Sequence, residues 1–126
     1  MFEKTDTHLK TILITDDEPI NLKILQGILS KKHTTITAAD GKTCIEKAKA
    51  TQPDLILLDI RMPFMDGIDV CRILKKKSRT KNIPVIFVTA DTDSSTLQKA
   101  FESGGTDYVR KPVNLIELMA DRKSVV

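Results

Sequence analysis

The segment DLILLDIRMPFMDG, residues 54–67, decides the fold of this chain. It begins with four consecutive aliphatic residues, Leu55 to Leu58, a run that is too short for a helix and lacks the alternation of a half-exposed strand. Such a run is typical of a parallel strand covered on both faces. Asp59 follows directly, and Pro63 and Gly67 favour a turn into a helix. The segment therefore predicts a buried strand that carries an acid to the edge of a sheet.

Four further segments have strand character, and segments with helical spacing separate them. Residues 11–14 and 85–88 repeat the short apolar pattern, and weaker strands fit residues 35–38 and 107–109. A strict alternation of strands and helices implies right-handed crossovers and a parallel sheet with helices on both faces. The sequence therefore predicts an α/β domain with five strands and five helices.

Each predicted helix has a set of residues that we expect to share one face. The last helix opens at Asn114, with Glu117 three residues on, and has only about two turns, fewer than the average of roughly three. The expected faces are Ile20, Ile24, Leu25 and Ile28 in the first helix, Cys44, Ile45 and Ala48 in the second, Ile68, Val70, Cys71 and Leu74 in the third, Leu97, Ala100 and Phe101 in the fourth, and Leu115, Leu118 and Met119 in the fifth.

The length and composition fit a single domain. The chain has 126 residues, of which 40% are hydrophobic and 29% charged, and we expect one domain over residues 1–126 with a core at about 10–122. Cys44 and Cys71 have neither disulfide nor metal spacing. No run approaches the roughly 20 apolar residues of a membrane span. We therefore expect a cytoplasmic protein, without membrane insertion.

The net charge of +3 comes largely from lysines and arginines at the ends of predicted helices. Cations there complement the helix dipole and stay solvated. We therefore expect no direct binding to nucleic acid.

Chemically active side chains follow four of the five predicted strands. Asp16 and Asp17 follow the first, Asp59 ends the third, Thr89 ends the fourth, and Lys111 lies just beyond the fifth. Ligands of open parallel sheets bind at this edge. Singly, each residue has a simpler interpretation: the acids and Thr89 as helix caps or turn residues, and Lys111 as a surface cation. Their convergence favours a site.

A divalent cation fits the predicted cluster. Three carboxylates and one ammonium give a net charge of about −2 if all are ionised. Oxygen ligands suit Mg²⁺, with Mn²⁺ possible, better than zinc, for which the sequence has no histidine or cysteine cluster. A carboxylate beside such an ion can attack a phosphoryl group.

The strings ILITDDEP, DLILLDIRMPFMDG, IPVIFVTA and GGTDYVRKP, in this order and at these separations, resemble the receiver domains of two-component response regulators. The resemblance covers nearly the whole chain. It implies a flavodoxin-like, doubly wound (βα)5 fold with strand order 2-1-3-4-5. It also implies a regulatory phosphoacceptor rather than an enzyme, whose partners are a sensor histidine kinase or phosphotransfer protein.

The resemblance assigns a role to each site residue. Asp59 would be the phosphoacceptor, while Asp16, Asp17 and the backbone carbonyl of Arg61 help it to hold the metal. Lys111 would pair with the phosphate, and its peptide bond to Pro112 would be cis, a form that costs about 0.5–1 kcal/mol at X-Pro bonds.

The resemblance also implies a switch. Thr89 and Tyr108 match the family's switch pair, in which the hydroxyl moves toward the phosphate and the ring turns inward. The responding surface would be the face of the fourth helix, fifth strand and fifth helix, open to an output domain or partner. Tyr108 could instead be an ordinary half-buried edge-strand aromatic. Arg61 and Asp91 occupy positions that either tune phosphoryl lifetime or are surface decoration. We expect a monomer or weak dimer.

Three other interpretations stay open. A metal-dependent phosphatase would usually carry a second acid two residues after its nucleophile, where this chain has Arg61. A nucleotide or flavin binder needs a phosphate-cradling loop after the first strand, where the chain has Asp16, Asp17 and Glu18. A degenerate receiver would serve only as a docking surface, although all the site residues are present.

Overall fold

A computed structural model of the chain describes residues 9–90 and 93–111. Within these residues strands and helices alternate, and no helix is long and apolar enough to cross a membrane. Pro112 and the predicted fifth helix lie outside the described residues. The elements are β1 (Thr11–Thr15), α1 (Pro19–Leu29), β2 (Thr34–Ala38), α2 (Gly41–Thr51), β3 (Leu55–Leu58), α3 (Gly67–Lys76), β4 (Val85–Thr89), α4 (Ser94–Glu102) and β5 (Asp107–Arg110).

The five strands form one parallel sheet in the order β2-β1-β3-β4-β5. This confirms the predicted fold and strand order. The order in which strands are added reverses at the neighbouring strands β1 and β3: β2 lies outside β1 on one side, and β4 and β5 lie outside β3 on the other. Thr15 of β1 pairs with Leu58 of β3 at this point. Because all strands are parallel, their carboxyl ends lie at one edge, and a crevice is expected beside the reversal point.

Aliphatic side chains from the strands fill both sides of the sheet. Successive residues of a strand point to opposite faces, so Leu13 joins one buried cluster while Ile12 and Ile14 join the other. The first cluster includes buried residues of α2, α3 and α4, and the second includes buried residues of α1. The continuous apolar runs of the sequence follow from this double coverage.

Aspartates begin three of the described helices. Asp40, Asp66 and Asp93 each accept a hydrogen bond from the backbone N–H three residues on, and so satisfy a free donor of α2, α3 and α4. α1 instead begins at Pro19, whose missing N–H costs nothing at the first position of a helix.

The predicted apolar face of α1 is partly wrong. Leu25 is buried as expected, but Ile20 is 66% exposed and Ile24 is 48% exposed. Leu29 is buried in their place, with Leu22 and Ile28 packed beside it. The helix sequence, PINLKILQGIL, is apolar on more than one side, so spacing alone fits two different stripes.

The predicted buried faces of α2 and α3 are confirmed, whereas that of α4 holds only in part. Ala100 is buried and Leu97 half-buried, but Phe101 is exposed. The Phe101 ring lies edge-on against Tyr108, with ring centroids 6.3 Å apart. Its packing is therefore on β5 at the surface rather than in the core.

Cys44 and Cys71 are buried and form no disulfide. Burial raises the pKa of the Cys44 thiol to about 11 and also raises that of Cys71. Both thiols are therefore protonated at neutral pH and act as small core residues.

Gly67 allows the loop after β3 to fold back against its own strand. Its N–H donates to the Ile60 carbonyl at 2.7 Å. A Cβ at this position would lie 2.1 Å from the backbone oxygen of Asp59. A side chain here must displace the backbone on which Asp59 is mounted.

Gly67→Ala is expected to lower the free energy of unfolding by about 2 kcal/mol, because the clash is with backbone. Gly27→Ala is the matched control: nothing lies within 4 Å of its Cβ, and it is exposed within α1. The control should stabilise the chain by about 0.5–1 kcal/mol. Urea unfolding measures both, and equal effects of the two substitutions would contradict this account of the loop.

Candidate functional site

The carboxyl edge of the sheet gathers the predicted site residues. Asp16 follows β1, Asp59 follows β3, and Thr89 ends β4. Lys111 directly follows β5, because this strand runs one residue further than predicted, to Arg110. The parallel register brings these strand ends together, as the sequence predicted.

Lys111 joins two buried carboxylates. Its Nζ lies 2.8 Å from Asp16 Oδ2 and 3.3 Å from Asp59 Oδ2. Asp16 is 1% exposed and Asp59 5% exposed. Buried charges must be paired, and one ammonium here serves two acids, so the group keeps an excess of negative charge.

Backbone hydrogen bonds extend the sheet into the site and fix these residues. The N–H of Asp59 donates to the Thr15 carbonyl at 3.0 Å, and the N–H of Lys111 donates to the Thr89 carbonyl at 2.8 Å. Asp16 Oδ1 accepts from the N–H of Glu18 at 3.0 Å, which holds the turn into α1. The site is therefore mounted on rigid elements rather than on free loops.

The environment of Asp59 disfavours its charged form. Burial, followed by the Asp16 charge, raises the pKa of Asp59 from 3.8 to about 6, against the opposing effect of Lys111. Burial lowers the pKa of Lys111, but the carboxylates of Asp16 and Asp59 outweigh it and the net shift is upward. The lysine therefore stays cationic while the acids compete for it.

A cleft of about 450 Å³ opens over the site. Asp59, Thr89 and Lys111 lie along it, and Asp17 and Arg61 flank them. Glu18 and Ala90 also line it, and we did not predict their part in the site. Their only sequence signal is that they adjoin residues at strand ends.

Thr89 and Tyr108, the predicted switch pair, lie in different surroundings. Thr89 is buried at the end of β4, and Asp93 rather than Thr89 caps α4. Tyr108 does not line the cleft; it is half-buried, packs against the core cluster of α3 and α4, and contacts Phe101. Its switch role stays a prediction. Asp91 and Pro112 lie outside the described ranges. The role of Asp91 and the cis bond between Lys111 and Pro112 therefore stay predictions.

A family model for the response regulator receiver domain matches residues 12–122. The chain belongs to this family. The match covers all five strands except Thr11, the first residue of β1, and every residue of the cluster at the carboxyl edge. The sequence resemblance is thereby confirmed.

Curated relatives of this receiver are longer proteins. Response regulator PleD of Caulobacter vibrioides is 38% identical over 115 residues, which are 90% of this chain and 25% of PleD. DNA-binding response regulator MtrA of Mycolicibacterium smegmatis is 38% identical over 116 residues, which are 91% of this chain and 50% of MtrA. The chain thus spans a quarter to a half of these relatives.

Solved receivers share the fold. Chemotaxis protein CheY4 of Vibrio cholerae superposes with a TM-score of 0.87 at 26% identity, covering 94% of this chain and 99% of CheY4. The receiver domain of sensor histidine kinase PA1611 from Pseudomonas aeruginosa gives 0.83 at 26% identity, covering 91% and 93%. That PA1611 structure has a magnesium ion coordinated in its active-site cleft.

The acidic residues of this receiver suit the same kind of ion. One carboxylate oxygen from each of Asp16, Asp17 and Asp59 lies within 4.8 Å of the others. Asp16 Oδ2 is buried, and the Lys111 Nζ that it contacts at 2.8 Å is shared with Asp59, so its negative charge is only partly compensated within the described residues. An oxygen in this condition lowers its free energy by binding a hard cation.

Asp59→Asn is expected to stabilise the receiver at neutral pH when divalent cations are absent. The pKa of Asp59 is raised from 3.8, its ordinary value, to about 6 in the folded protein. Protonation of Asp59 therefore stabilises the folded state, and this contribution is fully present below pH 3.8 and is lost as the pH rises through 6. Across this pH window, the free energy of unfolding of Asp59→Asn should come to exceed that of the parent by about 1–2 kcal/mol, a figure that includes a discount for solvent screening.

Urea unfolding in EDTA, at several pH values between about 4 and 7, measures this difference. Glu46→Gln, an exposed acid on α2, is the control for loss of one negative charge. A constant difference between parent and Asp59→Asn across the range would contradict the assigned origin of the shift.

Proposed function

We propose that this receiver accepts a phosphoryl group on Asp59, in a reaction that requires Mg²⁺, from a phosphohistidine of a sensor histidine kinase or phosphotransfer protein. The observation that carries the proposal is the placement of Lys111 Nζ between two buried carboxylates at the base of an open cleft. This is a charge arrangement that a phosphoryl group and a cation can complete.

Asp59 is the carboxylate best placed to react. It lines the cleft and contacts Lys111, whereas Asp17 lines the cleft without that ion pair. Asp16 is almost fully buried, and its Oδ1 is engaged by the N–H of Glu18. Only Asp59 therefore combines access for a phosphoryl donor with a neighbouring cation.

In the proposed transfer, a carboxylate oxygen of Asp59 attacks phosphorus while the P–N bond of the donor phosphohistidine breaks. The departing imidazole keeps the bonding electron pair and takes up a proton. The product is an aspartyl phosphate. Lys111 remains charged throughout, as its raised pKa supports, and pairs with the phosphoryl oxygens.

The metal site proposed here consists of the carboxylates of Asp16, Asp17 and Asp59 with the backbone carbonyl of Arg61. The support for including Arg61 is that it lines the cleft. Bound Mg²⁺ would neutralise charge that develops on the transferred oxygens. The three acids would hold the cation beside the reacting carboxylate.

The proposed output is a change at the face formed by α4, β5 and the predicted fifth helix. Thr89 lies in the cleft at the end of β4, and Tyr108 lies on β5, the neighbouring strand, where Phe87 pairs with it. A hydroxyl that moves toward the phosphate would leave space behind β4 for the Tyr108 ring. An output domain or partner protein would read this face, and the proposed setting is the cytoplasm.

Incubation with Mg²⁺ and acetyl phosphate is expected to add one phosphoryl group to the parent, because a small acyl phosphate can replace the protein donor at an open cleft. Intact mass spectrometry measures the gain. Asp59→Asn should show none, since the amide cannot attack, and EDTA should abolish the gain in the parent.

A folded, metal-binding parent that gains no phosphoryl group would favour a receiver used only for docking. Continuous release of phosphate from small phosphomonoesters, at a rate that Asp59→Asn abolishes, would favour the phosphatase interpretation. Either result contradicts the proposal.

Mg²⁺ is expected to stabilise the parent, by about 1.4 kcal/mol when its concentration is about ten times Kd. Asp17→Asn should lose most of this gain, because it removes a charged ligand without disturbing the contacts of Lys111. Thermal unfolding with and without Mg²⁺ measures both. Glu46→Gln is the control, and an equal response of Asp17→Asn and the control would contradict the proposed ligand set.

A further inference from the structure

Phe64 combines two features that folding does not explain. Its side chain is fully exposed, and its backbone has φ +69°, in the left-handed region. Glycine or asparagine would occupy this conformation at a lower cost than a bulky aromatic residue. Strained residues of this kind occur where the surrounding structure uses them. The exposed ring therefore calls for a role outside the core.

The Phe64 ring borders a shallow cleft of about 410 Å³ between the loop after β3 and the outward side of α3. Met65 and Ile73 supply further apolar surface there. This cleft shares no lining residue with the acidic cleft that contains Asp59. It is a separate feature to which the same loop contributes other residues.

The charge around this apolar surface is predominantly positive. Arg72 and Lys76 line it together with a single acid, Asp69. Asp69 lies in the first turn of α3 and pairs with Arg72 at 3.6 Å, so the helix dipole and the guanidinium already offset its charge. Lys76 makes no ion pair within the described part of the chain. The cleft therefore presents an unbalanced cation beside apolar side chains.

We propose that the groove formed by Phe64, Met65, Asp69, Arg72, Ile73 and Lys76 docks an acidic, amphipathic segment of a partner protein. An apolar side chain of that segment would contact Phe64 and Ile73, while its carboxylates would pair with Lys76 and Arg72. An aromatic anchor next to an arginine is a common composition for a binding hot spot.

The observations favour a protein segment over other anions. Asp69 within the groove opposes a continuous phosphate backbone, which requires a stripe of cations. The neighbouring Lys75 is unavailable to strengthen such a stripe, since its Nζ donates to the carbonyls of Lys81 and Ile83. A short peptide with an apolar anchor and an acidic residue beside it matches the apolar side chains and the unbalanced cation of the cleft.

Fluorescence anisotropy with two labelled 12-residue peptides tests this proposal. Both carry leucines at helical spacing; one has glutamates at the remaining positions and the other has lysines. The parent should bind the glutamate peptide, with Kd of about 10–100 μM for so small a contact. The lysine peptide should bind at least about tenfold more weakly, and rising salt should weaken the glutamate complex.

Phe64→Asn should weaken binding about tenfold or more without destabilising the fold, because asparagine tolerates positive φ. Ile24→Gln, which removes an exposed aliphatic side chain from α1, is its matched control and should have little effect. Arg72→Glu/Lys76→Glu should also abolish binding. Lys31→Glu/Lys32→Glu is its control, because it changes the net charge by the same amount. These two lysines lie beyond the end of α1, on the other side of the sheet.

Several results would overturn the proposal. One is failure of the glutamate peptide to bind the parent, and another is an equal loss of peptide binding in the variants and their controls. A third such result is binding to phosphatidylglycerol vesicles that depends on Phe64, without any binding of the peptide. Dimerisation of the parent that Phe64→Asn abolishes would also overturn it, since the occupant would then be a second copy. Asp59→Asn should bind the peptide normally, so this outcome is independent of whether Asp59 is a phosphoacceptor.

Discussion

The shared ion pair of Lys111 with Asp16 and Asp59 is the constraint on which the functional part of this receiver depends. The sheet register places two carboxylates at adjacent strand ends, where burial and the neighbouring Asp16 charge raise the pKa of Asp59. One lysine, delivered by the end of β5, compensates only part of this effect. The core of the sheet must supply the remaining stability. The same excess of negative charge gives the site its capacity to bind a cation, so the chemistry and the local instability have one origin.

The loop between β3 and α3 transmits this constraint to the surface. Asp59 begins the loop, and Gly67 ends it with a hydrogen bond back to the Ile60 carbonyl. Because a Cβ at Gly67 would meet the Asp59 backbone, the start of α3 lies directly against the residue that carries the proposed chemistry. We therefore expect a movement of Asp59 along the strand axis to displace the start of α3 as well. Close packing of this kind transmits displacement rather than absorbing it.

The sequence predicted most of the fold because buried parallel strands leave a strong signal. Runs such as Leu55 to Leu58 have no polar alternation, and their strand ends carry the site residues, so both the sheet and the cluster could be predicted. The orientation of α1 could not, since its apolar residues lie on several sides and tertiary packing selects Leu29 over Ile20. Phe101 was misplaced for a related reason: an aromatic residue at helical spacing can pack on a neighbouring strand at the surface as well as in the core. Positive φ at Phe64 leaves no mark on composition or spacing, and only coordinates reveal it.

Two clefts thus share one short loop but none of their lining residues, and the sign of their charge differs. The acidic one, which contains Asp59, has three carboxylates close enough together to suit a cation. The other, beside Phe64, has cations at its edge and attracts acids directly. An acidic partner is repelled from the first cleft by its own charge and is attracted to the second, so a single electrostatic difference separates the two kinds of ligand. The separation requires no steric barrier. It follows from the placement of acids at the strand ends of the sheet and of cations along the outward side of α3.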